Sequence, residues 1–376
     1  MPLKTTDRVV SLHRDGARHG RGATLNLEGR YEAWRREGED DGWYLETEEA
    51  GDATRPQTVV TEETAKSIIS RNASPDIPFS LSVNPYRGCE HGCVYCFARP
   101  SHAYLGLSPG LDFETRIFAK TNAAALLREE LSRPGYRCEP ISLGINTDAY
   151  QPAEKRYRIT RALLEVMTEA RQPVALITKS ALIERDLDLL VPLARQNLVH
   201  VAISLTTLQH DLSRYLEPRT VAPTRRLQTI ETLAKAGVPV TAMVAPVIPV
   251  LTDHELETVL KAAAEAGATR AGYVLLRLPW ELKPLFRDWL HRRFPLKADH
   301  VMSRLVEMRS GRENDPRFGS RMTGEGLFAA VLKQRFANAC RRLGLNRPGP
   351  EGRAGSSRLD ITRFRPPSRA GQGELF

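Results

Sequence analysis

The chain has 376 residues, 41% of them hydrophobic, enough to bury the core of one α/β barrel with appendages. Its formal charge of +9 favours a polyanionic partner, because counterion release draws basic proteins onto nucleic acid, although a basic cytosolic enzyme would show the same balance. No apolar run is long enough to cross a bilayer, and the first twenty residues show no signal-peptide core, so a cytoplasmic protein is expected.

Residues 1–75 are polar and irregular, with an acidic block from Glu37 to Asp52, and read as an N-terminal extension with little core of its own. From Phe79 the pattern changes to short apolar runs: FSLSV, ISLGI, PVALIT, HVAISL, VPVTAMVA and AGYVLLR. Runs rich in β-branched and large apolar residues predict parallel strands buried on both faces. Amphipathic helices are predicted between them. Ile159, Leu163, Val166, Met167 and Ala170 share one helical face, as do Leu256, Val259, Leu260 and Ala263 on a helix that Gly267 ends. Six strand–helix units in series predict a partial (β/α)6 TIM-like barrel over residues 76–280. Residues 281–345 read as C-terminal helices. Residues 346–376, rich in Arg, Pro, Gly and Ser, are expected to form a disordered tail.

The segment Arg87 to Tyr104, RGCEHGCVYCFARPSHAY, carries three of the five cysteines in the spacing C-x3-C-x2-C. Such crowding in a reducing compartment points to a metal site rather than a disulfide framework. A structural zinc would need a fourth ligand from His91, His102, Cys138 or Cys340, and no second C-x2-C knuckle exists to supply it. An iron–sulfur cluster normally takes four thiolates, so Cys89, Cys93 and Cys96 alone would leave one iron open to a small molecule. The other unusual residues fall where strands should end: NTDAYQPAE (Asn146 to Glu154), TKS (Thr178 to Ser180), EPRT (Glu217 to Thr220), APVIPVLTD (Ala245 to Asp253) and RLP (Arg277 to Pro279). Function in parallel barrels collects at those ends. Lys179, at the top of a strand, is a candidate for contacting a ligand there or a solvated surface charge. The basic pairs Arg225-Arg226, Arg292-Arg293 and Arg341-Arg342 are candidates for gripping phosphates or for solvated helix faces.

C-x3-C-x2-C with Tyr95 just before the last cysteine resembles the signature of the radical S-adenosylmethionine enzymes. Together with NTDAYQPAE, TKS, EPRT and APVIP it resembles their spore photoproduct lyase-related, DNA-repair photolyase-like branch, over residues 76–345. The resemblance implies a [4Fe-4S] cluster on Cys89, Cys93 and Cys96, with S-adenosyl-L-methionine on the open iron and a 5′-deoxyadenosyl radical that abstracts hydrogen from substrate. Tyr95 would lie near adenine, Lys179 near the methionyl carboxylate, Ser204 near the ribose or methionine, and Ile248 against adenine. The substrate implied is a DNA lesion or modified base, with tRNA, protein or a small metabolite as alternatives. A non-enzymatic, DNA-associated metal-binding adaptor is a third reading. A reductant such as flavodoxin or ferredoxin is the implied partner. One departure matters: Asn146 stands where the lyase has its hydrogen-donating cysteine, directly ahead of Thr147-Asp148. Asn cannot donate a hydrogen atom to a carbon radical, which leaves Tyr104, Tyr150 and Tyr273 as relay candidates. Finally, Gln372-Gly373-Glu374-Leu375-Phe376 resembles the Q-x-x-L-F peptide that docks repair proteins on the bacterial sliding clamp, with Gly373 departing from the larger residue usual there.

Overall fold

The computed structural model describes residues 20–31, 56–347 and 359–368. Two short strands, β1 (Val59–Glu63) and β2 (Ile69–Arg71), precede β3 (Leu81–Val83) and β4 (Tyr86–Arg87). Beyond the cysteine loop come β5 (Arg116–Lys120), β6 (Ile141–Leu143), β7 (Val174–Thr178), β8 (Val199–Ser204), β9 (Val240–Val247) and β10 (Arg270–Leu275). Strands β3, β6, β7, β8, β9 and β10 lie side by side in chain order, all parallel, with β2 antiparallel at the β3 edge. Each of the six apolar runs has become one strand of the expected partial barrel. A separate sheet, β1-β5-β4, flanks the cysteine loop.

Register gives the sheet two unlike faces. Leu81, Ile141, Val174 and Val199 align across β3, β6, β7 and β8, and all are fully buried beneath the helices. Their chain neighbours Ser82, Ser142, Ala175 and His200 align on the opposite, concave face, as do Ser204, Met243 and Gly272 further up the barrel. The helix Ile159–Glu169 buries Ile159, Leu163, Val166 and Met167, and the helix Leu256–Glu265 buries Leu256, Val259, Leu260 and Ala263, as their periodicity requires. Three longer helices, Leu282–Arg293, Pro295–Met308 and Gly326–Leu343, complete the C-terminal part. The last packs on Leu256–Glu265, with Arg335 paired to Glu257 at 2.6 Å.

Two expectations about the flanks need correction. Within the N-terminal extension, residues 20–31 run across the cysteine loop and bury Ala23, Leu25 and Leu27. Apolar spacing too short to form an element gave no warning that this strap is core. In the tail, residues 359–368 dock rather than remain disordered. Asp360 N donates to Asn197 O at 2.9 Å, Arg365 N donates to Ala170 O at 2.9 Å, and Phe364 packs on Tyr136. These contacts, with Ser132 Oγ donating to Pro367 O at 3.0 Å and Leu359 buried, anchor a stretch whose composition reads as unstructured.

On the concave face, His200 Nε2 lies 2.5 Å from Thr241 Oγ1, and its Nδ1 is buried without a partner among the described residues. Burial, aided by Arg270, pushes the imidazole pKa down from 6.5 to about 4. As pH falls below 6.5 the unfolded chain takes up a proton that the folded chain refuses. The contribution is therefore intact above pH 6.5 and is lost as pH falls toward 4. Between pH 7 and 4 this should cost the native protein roughly 1–3 kcal/mol more than it costs His200→Gln. Urea midpoints of both proteins at the two pH values check it, and identical pH dependences would overturn it.

Candidate active site

Cys89, Cys93 and Cys96 sit in the loop between β4 and β5, above the C-terminal end of β3. The loop turns at Gly88 (φ 75°) and Gly92 (φ 67°), where any side chain would strike neighbours: His102 and Ile117 at 2.9 Å, and Glu114 at 2.8 Å. A fully buried ion pair holds it from beneath. Arg99 donates through Nε to Cys93 O at 2.9 Å and through Nη1 to Gly110 O at 2.8 Å, and its Nη2 meets Glu114 Oε1 at 2.5 Å. Glu114 also accepts from Gly22 N at 3.0 Å and Ala23 N at 2.7 Å, which fastens the N-terminal strap over the loop. From the other side Gln151, itself buried, accepts from Glu90 N at 2.9 Å and donates to Gly88 O at 3.1 Å.

Strand ends surround this loop. After β6, Asp148 faces His91 Nδ1 at 3.2 Å and accepts from Thr178 Oγ1 at 2.7 Å and Lys179 N at 2.8 Å. Burial pushes its carboxyl up, but His91 and these donors outweigh it and hold the pKa at about 2. After β8, Glu217 accepts from Tyr95 Oη, from Thr206 Oγ1 at 2.7 Å and from buried Arg226. It too is held at about 2, with Arg226 and then Lys179 overcoming burial. Arg226 also donates to Ser204 O at 3.1 Å and Val221 O at 3.0 Å. Lys179 leads away from β7 with its Nζ 5.9 Å from the Tyr95 ring centre. Burial lowers its pKa, yet Cys93 and Glu217 more than compensate, and the ammonium stays charged. Among the described residues it forms no ion pair.

Comparison with known proteins agrees with this arrangement. The family model described as the radical SAM superfamily matches residues 83–263, from β3 through the helix Leu256–Glu265. An uncharacterized protein of Mycobacterium tuberculosis is 40% identical over 277 residues, covering 73% of this chain and 78% of its own length. An uncharacterized protein of Methanocaldococcus jannaschii is 27% identical over 173 residues, 46% of this chain and 62% of its own. The chain belongs to the radical SAM superfamily. Its fold is also similar to spore photoproduct lyase, solved in complex with dinucleoside spore photoproduct, at TM-score 0.53 and 15% identity over 76% of this chain and 80% of that one. A lyase variant with bound AdoMet and dinucleoside spore photoproduct is similar at TM-score 0.51 and 16% identity, with the same coverage.

This radical SAM enzyme therefore works with a [4Fe-4S] cluster and S-adenosylmethionine. The donor set fits. Cys89 and Cys93 each feel the charge of the neighbouring thiols, and burial raises both, Cys93 to about 12, so thiolates here require a bound cation. The other candidate ligands are committed elsewhere. His91 faces Asp148, and His102 is buried against Phe113 with Nε2 3.0 Å from Arg116 O. Cys138 lies at the N-terminal ends of the strands, 3.6 Å from Gln172 Oε1, and Cys340 is in the helix Gly326–Leu343. Among the described residues no three His, Cys, Asp or Glu side chains converge tightly enough for a single metal ion.

The structure brings Cys89, Cys93, Cys96, Tyr95, Lys179 and buried Ser204 together around the strand ends. Ile248 is buried in the loop after β9, its N donating to Thr252 Oγ1 at 2.8 Å. The three relay tyrosines do not join them. Tyr150 is buried beside Asp186, Glu154 and Arg185 in the helix layer. Tyr273 aligns with outward-facing Val244 and packs on Phe336, and Tyr104 is exposed and stacks on Tyr31. The pair Arg225-Arg226 is likewise no phosphate grip: Arg225 pairs with Glu184 at 2.7 Å and Arg226 with Glu217. Arg292 pairs with Asp288 at 2.8 Å, and Arg293 lies over the Tyr215 ring. The sequence reading missed Arg99, Glu114 and Gln151, whose signal is a polar residue inside an otherwise apolar or Gly-rich stretch.

Glu114→Gln leaves the Arg99 guanidinium buried without its counter-charge, and the expected cost is about 3–5 kcal/mol. Denaturant midpoint and iron bound per chain after anaerobic reconstitution should both fall. A wild-type midpoint in the variant would show that the pair carries none of the loop's stability.

Proposed function

We propose that this radical SAM enzyme acts on DNA, at a lesion or modified base. Cys89, Cys93 and Cys96 are the cluster ligands, and the observation that carries the assignment is their convergence beside an unpaired, charged Lys179. The bound cofactors supply a 5′-deoxyadenosyl radical able to take a hydrogen atom from an unactivated carbon. Lys179 neutralises the methionyl carboxylate, while Glu217, saturated by Arg226, Thr206 and Tyr95, keeps Tyr95 fixed beneath it. Ser204 would border the methionine and ribose, and Ile248 and Tyr95 would border adenine. Ser204, Met243 and Gly272 align across the concave face at this end of the barrel, where the substrate would be held. A one-electron reductant such as flavodoxin or ferredoxin is the required partner.

DNA is supported by the charge of +9 and by the ligand of the similarly folded lyase. The reaction differs from a lyase that returns hydrogen through a strand-end thiol. Asn146 occupies that place, its N donating to Asn84 Oδ1 at 2.8 Å, and Cys138 and Cys340 lie on other sides of the barrel. The test is anaerobic incubation of reconstituted, reduced protein with S-adenosylmethionine and either ultraviolet-damaged or intact DNA. Damaged DNA should raise 5′-deoxyadenosine formation; equal yields from both would reject a lesion substrate. In the same protein, Cys89→Ala, Cys93→Ala or Cys96→Ala should each remove most of the iron, whereas Cys138→Ala and Cys340→Ala should not. Lys179→Ala should keep the iron and weaken cofactor binding by about 1.5–3 kcal/mol, measured by equilibrium dialysis.

Recruitment to DNA by the sliding clamp is part of this reading. Gln372, Leu375 and Phe376 lie outside the described residues, and the support is their Q-x-x-L-F pattern shortly after the docked stretch 359–368. Gln372 would hydrogen-bond at the clamp groove while Leu375 and Phe376 fill its apolar pocket. Full-length protein should bind the clamp at micromolar concentration and lose that binding on combined Leu375→Ala and Phe376→Ala substitution. Binding that survives the double substitution rejects the motif.

A further inference from the structure

Beside the cysteine loop the surface carries large aromatic rings that the core does not use. Tyr31 is 57% exposed, Tyr104 69%, Trp280 63% and Phe97 46%. They come from three separate parts of the chain: the N-terminal strap, the segment following Cys96, and the end of β10. Tyr31 and Tyr104 stack with ring centres 5.1 Å apart and planes 27° from parallel. Arg30 joins them to Trp280, its guanidinium carbon 4.2 Å from the indole centre and 5.9 Å from the Tyr104 ring. Glu281 pairs with Arg30 at 2.7 Å and neutralises it. Trp280 is held at φ 51°, in the left-handed region that a bulky residue adopts at a cost of order 1–3 kcal/mol. The strained backbone leaves the indole 63% exposed, with the Arg30 guanidinium as its ring partner.

The second observation is Arg277, three residues earlier. Its guanidinium carbon lies 5.7 Å from the Phe97 ring centre, and its Nη1 reaches only the Met322 thioether, at 3.4 Å. Its Nε is buried without a hydrogen-bond partner, and no carboxylate pairs with it among the described residues; nearby Asp76 is taken by Arg321 at 2.6 Å. Desolvation accordingly lowers its pKa. An unmatched guanidinium flanked by exposed rings at the mouth of a barrel calls for a ligand that is both anionic and planar.

We propose that this rim binds an unpaired stretch of DNA. Bases stack on Trp280 and on the Tyr31–Tyr104 pair, and a backbone phosphate engages Arg277. Stacking platforms bind single strands because every base offers a π face, whereas paired bases in a duplex do not. The rim thus presents an extrahelical or single-stranded nucleotide beside Cys96, and the inference rests on the DNA reading above. The ligand class fits the chain's charge of +9.

The experiment titrates reconstituted full-length protein with fluorescein-labelled single-stranded oligothymidine and with a blunt duplex of equal length, across a salt series. Single strands should bind more tightly and quench tryptophan emission. Trp280→Ala and Tyr104→Ala should each weaken single-strand binding about ten- to hundred-fold, with thermal midpoints confirming that the variants fold. Arg277→Ala should lower the slope of log affinity against log salt by about one, and Arg277→Lys should restore it. Duplex preference, or wild-type affinity in both aromatic variants, would overturn the platform while leaving DNA as the substrate. Failure of either DNA form to bind at low salt would overturn both.

Discussion

The Arg99–Glu114 ion pair is the constraint on which the site depends. Both side chains are fully buried, and between them they bind the Cys93 carbonyl, the Gly110 carbonyl and the Gly22 and Ala23 amides. A metal-binding loop lacks the regular ladder that would otherwise satisfy its backbone, so each buried peptide group needs an individual partner. One guanidinium and one carboxylate answer much of that need at once. Their desolvation is costly, and it is offset only because nearly every donor and acceptor on the two groups is used. The same pair explains why the N-terminal strap is ordered: it is fastened to Glu114 rather than to a sheet.

Around that loop the charges are deliberately uneven. Asp148 and Glu217 are each saturated by hydrogen bonds and by close neighbours, His91 at 3.2 Å from Asp148 and the Arg226 guanidinium against Glu217. Both carboxyls are held well below the usual range, to about 2, and are ionised at neutral pH. Lys179 faces Cys93 and Glu217 electrostatically without ion-pairing to either. Glu217 contributes a field that keeps the ammonium charged, while Arg226 occupies the carboxylate oxygen that could have captured it. The outcome is a cation held in readiness at a strand end.

Much of the fold was legible because its cause is local. Six apolar runs and the helical faces at Ile159–Glu169 and Leu256–Glu265 obey periodicities that the chain writes directly. The cysteines, Lys179 and the strand-end motifs were legible for a related reason: parallel topology brings successive βα loops to one end. What could not be read were pairings across long separations. Glu114 meets Gly22 over 92 residues, and Asp360 meets Asn197 over a still longer span. Nothing near either residue signals its partner. The relay tyrosines failed for a subtler reason. Strand register decides which face a residue occupies, and a single-residue step turns Tyr273 outward to Phe336 while Gly272 faces in.

That register also bears on how the radical is controlled. Tyr273 in the outer layer, Tyr150 among Asp186, Glu154 and Arg185, and Cys138 at the far end of the barrel all lie away from the concave face. That face carries the small residues Ser82, Ser142, Ala175, Ala202, Ser204 and Gly272, with His200, Thr241 and Met243 between them. Small side chains offer few weak bonds to attack and occupy little volume, so selectivity must come from where the substrate is held rather than from groups beside it. Asn146 in place of a thiol belongs to the same pattern. If no side chain returns a hydrogen atom, the substrate radical would have to retake it from 5′-deoxyadenosine or pass its electron to an acceptor and leave oxidised. Either ending relies on water exclusion and tight positioning, which a loop clamped by buried ion pairs on one side and Gln151 on the other is built to provide.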